Sequence, residues 1–172
     1  MINLRAASSR FLREWVKPFA VLALVLGSFR SAVADWNDVP SGSMRPTVLE
    51  GERVFVNRAA YDLKVPFTTW HLARWADPQR GDVVVLVSPH DGRLLLKRVV
   101  GVPGDLIELR ENRLFVNGQA ASYARDGRLD GAASVVEETA AGRRHLIELS
   151  PLPAPASSFG PVRVPEERYL MM

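Results

Sequence analysis

Residues 18–29 are apolar apart from Gly27 and Ser28, and they follow a basic leader in which Arg5, Arg10, Arg13 and Lys17 face only Glu14. A helix that crosses a bilayer needs about 20 largely apolar residues. The run reaches that length only over residues 16–36, with Arg30 snorkelling outward and Trp36 at the interface. The same residues fit a cleavable export leader, in which Ala32-Val33-Ala34 would be a small-x-small processing site. They also fit a buried helix of a soluble protein. Both membrane readings keep the leader in the cytoplasm and carry everything after Trp36 across the membrane. The organisation expected is a basic leader over 1–17, a signal-anchor transmembrane helix over 18–36 and an extracytoplasmic domain over 37–172.

The leader also accounts for the whole chain's net charge of +3, so the remainder is neutral. A nucleic-acid partner is not expected, because such binders spread basic residues over the folded part. With no cysteine, disulfides, thiolate nucleophiles and cysteine metal sites are excluded.

After Asp38 the pattern changes to short β-type runs separated by turn residues. Strands are expected at 53–56, 82–87, 94–100, 106–110, 114–116, 144–149 and 168–171. Pro103-Gly104 and Asn117-Gly118 are among the turn signals between them. The runs near 83–87 and 94–100 are apolar on both faces, which suits a folded-over or barrel-like antiparallel sheet. Residues 120–142 and 151–165 are expected as loops or accessory turns, and Trp70 and Trp75 are expected to pack on the sheet. The fold class is therefore mostly β behind one apolar helix.

Little conventional chemistry is visible. His71, His90 and His145 lack metal-ligand spacing and are expected at the surface or in turns. Gly101-Val102-Pro103-Gly104 lacks the Lys-Ser/Thr of a phosphate loop, and no Gly-x-Ser-x-Gly elbow is present. What remains is Ser41-Gly42-Ser43-Met44-Arg45-Pro46-Thr47, where Pro40 and Pro46 restrict the backbone on both sides. Such a segment can hold a serine rigidly; it also fits an ordinary turn after a linker.

A partner base would decide between these. The three lysines (Lys17, Lys64, Lys97) leave 19 of the 22 basic residues as arginine, yet Lys97 stands in the apolar run Leu94-Leu95-Leu96-Lys97-Arg98-Val99-Val100. A desolvated lysine can lose its proton and act as a base, whereas arginine stays charged. Strand alternation puts Lys97 beside Leu95 and Val99, and Arg98 on the other face with Leu96 and Val100. The alternative is an edge-strand lysine in solvent.

At these residues the sequence resembles bacterial signal peptidase I, a membrane-bound Ser-Lys protease family. The resemblance is carried by Val39-Pro40-Ser41-Gly42-Ser43-Met44-Arg45-Pro46-Thr47, Arg80-Gly81-Asp82-Val83-Val84-Val85, Lys97-Arg98-Val99-Val100-Gly101-Val102-Pro103-Gly104-Asp105 and Tyr169-Leu170-Met171-Met172. It implies a β domain of coiled antiparallel sheets. It implies Ser43 as nucleophile, Lys97 as general base, and the Ser41 hydroxyl with the Ser43 amide as oxyanion hole. Val39, Pro40, Val48, Leu95 and Leu96 would line shallow pockets for small substrate side chains.

The implied partners are signal peptides of exported preproteins and the lipid bilayer, with no metal or organic cofactor. The implied location is the bacterial inner membrane, crossed once, with the catalytic domain on the periplasmic side. Ser43 follows Phe29 by 14 residues, at most about 46 Å of extended chain, so the nucleophile would work near the membrane. In the family a Gly-Asp-Asn-Arg-Asp-Asn-Ser segment follows the strand matching Tyr169 to Met172 and supports the lysine. The present sequence stops before it, and a C-terminally shortened member is expected. The alternative function is a non-catalytic, membrane-tethered β domain that binds exported chains. A soluble self-cleaving regulator using the same pair is disfavoured by the apolar leader.

Overall fold

Pro18 stands in the first turn of the one α-helix among the described residues. In the computed structural model, which describes residues 12–68, 70–130, 133–149 and 157–172, a π-helical turn over Leu12–Val16 leads into α1, Lys17–Ala32. Most of the leader (residues 1–11) and residues 151–156 lie outside the described residues. Together Glu14–Ala32 forms a helix of 19 residues, long and apolar enough to cross a membrane. At 1.5 Å per residue it spans about 28 Å, close to the thickness of a hydrocarbon core. It stops at Ala32, where the Val33 amide bonds the Phe29 carbonyl at 2.8 Å. Trp36 therefore lies on a strand.

Fourteen strands follow among the described residues. They are β1 Ala34–Asp38, β2 Arg53–Asn57, β3 Asp62–Lys64, β4 His71–Arg74, β5 Val83–Val87, β6 Leu94–Gly101 and β7 Leu106–Arg110. The remainder are β8 Arg113–Val116, β9 Gln119–Ala120, β10 Ser122–Asp130, β11 Ala133–Ala140, β12 Arg143–Leu149, β13 Phe159–Arg163 and β14 Leu170–Met171. They form five small sheets, ordered β1-β2, β3-β4, β14-β6-β5, β13-β7-β8-β9 and β10-β11-β12. The β class is as expected, but no barrel closes among the described residues.

Two corrections concern segments read as loops. Residues 122–130 and 133–140 form the long strands β10 and β11, and the chain around 159–163 adds β13 to the edge of β7. The turn from β11 to β12 is Ala141-Gly142, with φ of +45° and +79°. A two-residue loop with positive φ at both positions matches the twist of paired strands.

The chain divides into two compact units, Met1–Asn37 with Phe55–Asp77, and Asp38–Val54 with Pro78–Met172. In the first, Arg30 and Arg58 both reach Asp35, at 3.1 and 2.6 Å. Burial raises the Asp35 carboxyl, but its hydrogen bonds and the two guanidiniums outweigh this and leave it below its ordinary value. Trp70 and Trp75 are exposed rather than packed on a sheet, a third correction. Both belong to the β3–β4 region, whose short strands provide no apolar face wide enough to cover them.

In the second unit, Val100, Ile107, Leu109, Leu114, Val116, Ala140 and Val164 form the core. The strand β6 enters it with Val99 and Val100. A polar brace fixes this end of β6. Arg80 donates to the Val100 carbonyl at 3.0 Å and pairs with the buried Asp105. Asp105 also accepts from the Val102 amide at 2.7 Å and the Asn117 amide group at 2.9 Å. The Arg80-Gly81-Asp82 and Gly101 to Asp105 motifs thus act structurally, holding β6 between its neighbours.

Candidate active site

Ser43 lies in a 3-10 turn, Gly42–Met44, that follows extended Ser41. Three features fix this turn. Met44 is buried, the Arg45 amide returns to the Gly42 carbonyl at 3.0 Å, and the Val48 amide bonds the Met44 carbonyl at 3.1 Å. Upstream, buried Val39 exchanges backbone bonds with Glu52 and Gly51, at 2.9 and 3.0 Å. The serine side chain is exposed on a loop whose two flanks are anchored. Ser41 is exposed as well.

Lys97 sits in the middle of β6, half-buried and opposite Val84 of β5. As alternation requires, it shares a face with Val99, which is fully buried, while Arg98 and Val100 face a pocket on the other side. Neither the Ser43 nor the Lys97 side chain makes a hydrogen bond or ion pair among the described residues, so the two are not joined to one another. The turn that carries Ser43 nevertheless packs against β6. Of the expected pocket-lining residues, Val39 is buried, Val48 and Leu96 are half-buried, and Pro40 and Leu95 are exposed.

The link between the serine loop and the lysine strand runs through residues that sequence reasoning did not single out as a site. The Arg98 guanidinium donates to the Thr47 hydroxyl at 3.1 Å and to the Gly81 carbonyl at 2.8 Å. The Thr47 hydroxyl donates in turn to the Leu146 carbonyl at 3.4 Å. Burial pulls Arg98 below its ordinary pKa, and the charge of Glu138 pushes the other way. Arginine stays protonated under either influence.

Ser43, Thr47 and Arg98 line a pocket of about 220 Å³, together with Met44, Val100, Leu109, Leu114, Glu138, His145 and Met172. Glu138 is buried and fully engaged: it accepts from the Tyr123 phenol at 2.7 Å and lies 3.2 Å from His145 Nε2. The phenol in turn accepts from the Leu114 amide at 2.8 Å. Burial, reinforced by Glu138, drives the Tyr123 pKa well above its ordinary value. His145 is thus neither a surface nor a turn histidine, a fourth correction. Its Nδ1 is buried without a hydrogen-bond partner. The signal that could have revealed this pair is Ala141-Gly142 between Val135-Val136 and Leu146-Ile147, a hairpin pattern that sets Glu138 opposite His145.

The described residues thus combine small β-sheets, one helix long and apolar enough to cross a membrane, and an exposed serine on a turn packed against a lysine-bearing strand. The profile of the family described as signal peptidase, peptidase S26, matches residues 12–172, and the chain belongs to that family. A signal peptidase I of Pseudomonas fluorescens is 32% identical over 166 residues, covering 94% of this chain and 58% of that protein. One from Pseudomonas aeruginosa is 34% identical over 141 residues, covering 79% of this chain and 50% of that protein. Signal peptidase I P of Bacillus subtilis subsp. natto is 29% identical over 161 residues, covering 92% and 71%. The chain therefore matches 58% and 50% of the length of the two Pseudomonas relatives.

Proposed function

We propose that this chain is a membrane-bound serine endopeptidase, or the N-terminal part of one, that removes signal peptides from exported preproteins. The observation that carries this reading is the exposed Ser43 on a turn anchored on both sides and tied through Thr47 and Arg98 to the strand bearing Lys97. Family membership supports the reaction class.

In the mechanism proposed, the Lys97 amine accepts the proton of Ser43 as Oγ attacks the scissile carbonyl carbon. The Ser43 amide and the Ser41 hydroxyl donate to the oxyanion that forms. Protonated Lys97 then gives its proton to the departing amine, leaving an ester on Ser43. Lys97 next activates a water that hydrolyses the ester and regenerates the serine. Pro40, Val48, Leu95 and Leu96 present small apolar surfaces to the substrate's side chains, whereas Val39, expected among them, is buried. The basic leader stays on the cytoplasmic side, α1 crosses the bacterial inner membrane once, and the β domain works on the periplasmic side.

The test is cleavage of a preprotein by the 172-residue chain in phospholipid, beside Ser43→Ala and Lys97→Met. Cleavage by the parent chain, abolished in both variants while circular dichroism stays unchanged, is the expected result. A folded parent chain that binds preprotein without cutting it would refute the catalytic reading and favour a tethered binding domain.

A further inference from the structure

The sheet β10-β11-β12 carries a row of polar side chains straight across its three strands. Its register sets Tyr123 opposite Glu138 and Glu138 opposite His145, so the three stand on one face. Tyr123 donates to Glu138 Oε2 at 2.7 Å, and His145 Nε2 lies 3.2 Å from Glu138 Oε1. Both carboxylate oxygens are thus engaged, and the Glu138 side chain is only 7% exposed. A carboxylate so enclosed is costly unless it meets positive charge. Arg98 of β6 lines the same pocket, and the Glu138 charge acts on its guanidinium.

Arg98 depends on that charge in turn. It is half-buried, and its guanidinium donates to two neutral oxygens, the Thr47 hydroxyl at 3.1 Å and the Gly81 carbonyl at 2.8 Å. The three-stranded sheet frames both of these acceptors. On one side, Thr47 donates to the Leu146 carbonyl of β12 at 3.4 Å. On the other, Arg143 shares the His145 face of β12 by strand alternation and lies over Gly81, where an added Cβ would stand 3.7 Å from Arg143 Cβ. Its guanidinium reaches Gln79 Oε1 at 3.0 Å. The sheet therefore supplies the counter-charge of Arg98 and borders the loops that Arg98 joins.

We propose that Glu138 is a positioning residue for the nucleophile: as the counter-charge that keeps Arg98 turned inward, it holds Thr47 and, through Thr47, the turn that carries Ser43. The inference deepens the peptidase reading, and its kinetic consequence rests on that reading. Without the carboxylate charge, a half-buried guanidinium among neutral oxygens is better solvated outside. Thr47 then loses its donor and the turn loosens. Lys97 and Leu95 lie on the opposite face of β6 and keep their places. The loss falls on the alignment of Ser43 for attack, and preprotein binding is spared.

The experiment uses the full chain in phospholipid, with preprotein cleavage and hydrogen exchange over residues 42–48 measured side by side. Glu138→Gln keeps the size of the side chain and removes its charge. It should lower kcat about tenfold, leave KM within about twofold, and speed exchange of the Arg45 and Val48 amides that close the turn. Tyr123→Phe costs Glu138 a hydrogen bond but leaves its charge, and should match the parent in both readouts. The double variant Arg98→Met, Glu138→Gln removes both charges together, so it tests the idea even where the lone Glu138→Gln is unstable; it should be no more impaired than Arg98→Met alone. Parent-like kcat and exchange in Glu138→Gln, equal losses in Tyr123→Phe, or a double variant worse than Arg98→Met would each overturn the proposal. If the parent chain cuts no preprotein, the peptidase reading fails by itself, and the exchange comparison alone decides whether Glu138 holds the turn.

Discussion

Replacing Gly101 by alanine adds one methyl group at the end of β6, where three neighbours already fill the space. A Cβ there would stand 2.8 Å from Ile107 Cγ1, 2.9 Å from Val164 Cγ2 and 3.2 Å from Leu170 Cβ. Ordinary carbon contacts lie near 3.5–4.0 Å, so the methyl overlaps on three sides by about 0.5–1 Å. Neither close neighbour can swing into solvent, because Ile107 is fully buried and Val164 nearly so. Overpacking of this kind costs about 1–3 kcal/mol. Against it, alanine restricts the unfolded chain, a gain of about 0.4–1 kcal/mol at a position whose backbone it can adopt. Gly101 is not among the positive-φ glycines, so that gain applies and the net loss should be about 1–2 kcal/mol. For a chain of this size the melting temperature should fall by about 4 °C. Thermal unfolding in detergent followed by circular dichroism reads this directly. Val164→Ala removes one overlapping methyl, so the double variant should melt higher than the two single losses added together predict. A Gly101→Ala chain that melts at or above the parent would refute the packing argument.

Other perturbations probe the polar contacts. Thr47→Val removes both the acceptor for Arg98 and the donor to Leu146; preprotein cleavage should drop about tenfold, in line with about 1.4 kcal/mol of lost positioning, whereas Thr47→Ser should retain the parent rate. Tyr123→Phe takes a hydrogen bond from buried Glu138 and an acceptor from the Leu114 amide, and denaturant titration should show a loss of about 1–3 kcal/mol. Burial raises the Asp105 carboxyl, but the Val102 amide, Arg80 and Asn117 together hold it below its ordinary value. A carboxylate depressed by folding contributes stability above its unfolded pKa, and that contribution is lost as pH falls through the folded value. Acid titration of stability below about pH 4 should therefore be steeper in the parent than in Asp105→Asn. That variant should also be about 3 kcal/mol less stable at neutral pH, because Arg80 loses its buried partner.

What could be read from the sequence follows from how local each signal is. The strand β6 stood out because Leu94 to Val100 is apolar on both faces, and Asn117-Gly118 marks a turn by chemistry alone. Residues 122–140 escaped because alanine, glutamate and arginine dilute the alternation. There the pairing across Ala141-Gly142 supplies what local propensity does not. The exposure of Trp70 was equally hidden, since an apolar residue carries no mark of whether its partner is protein or lipid. At the site, Ser43 and Lys97 could be singled out one at a time, by proline constraint and by an apolar setting. The Arg98–Thr47–Leu146 contact could not, because its members are 51 and 99 residues apart in sequence and no local pattern encodes such a meeting.

Arg98 also exchanges both backbone hydrogen bonds with Met172, at 2.9 and 3.0 Å. One residue thus joins the chain at the end of β14 through its main chain and the serine loop through its side chain. If β14 peels away, the main chain that aims this guanidinium loses a neighbour, and its hold on Thr47 weakens. Local opening propagates through shared contacts of this kind. Amide protons around the Met44–Val48 turn should accordingly exchange with solvent at the pace of those in β14, making the loop and the distant strand one breathing unit.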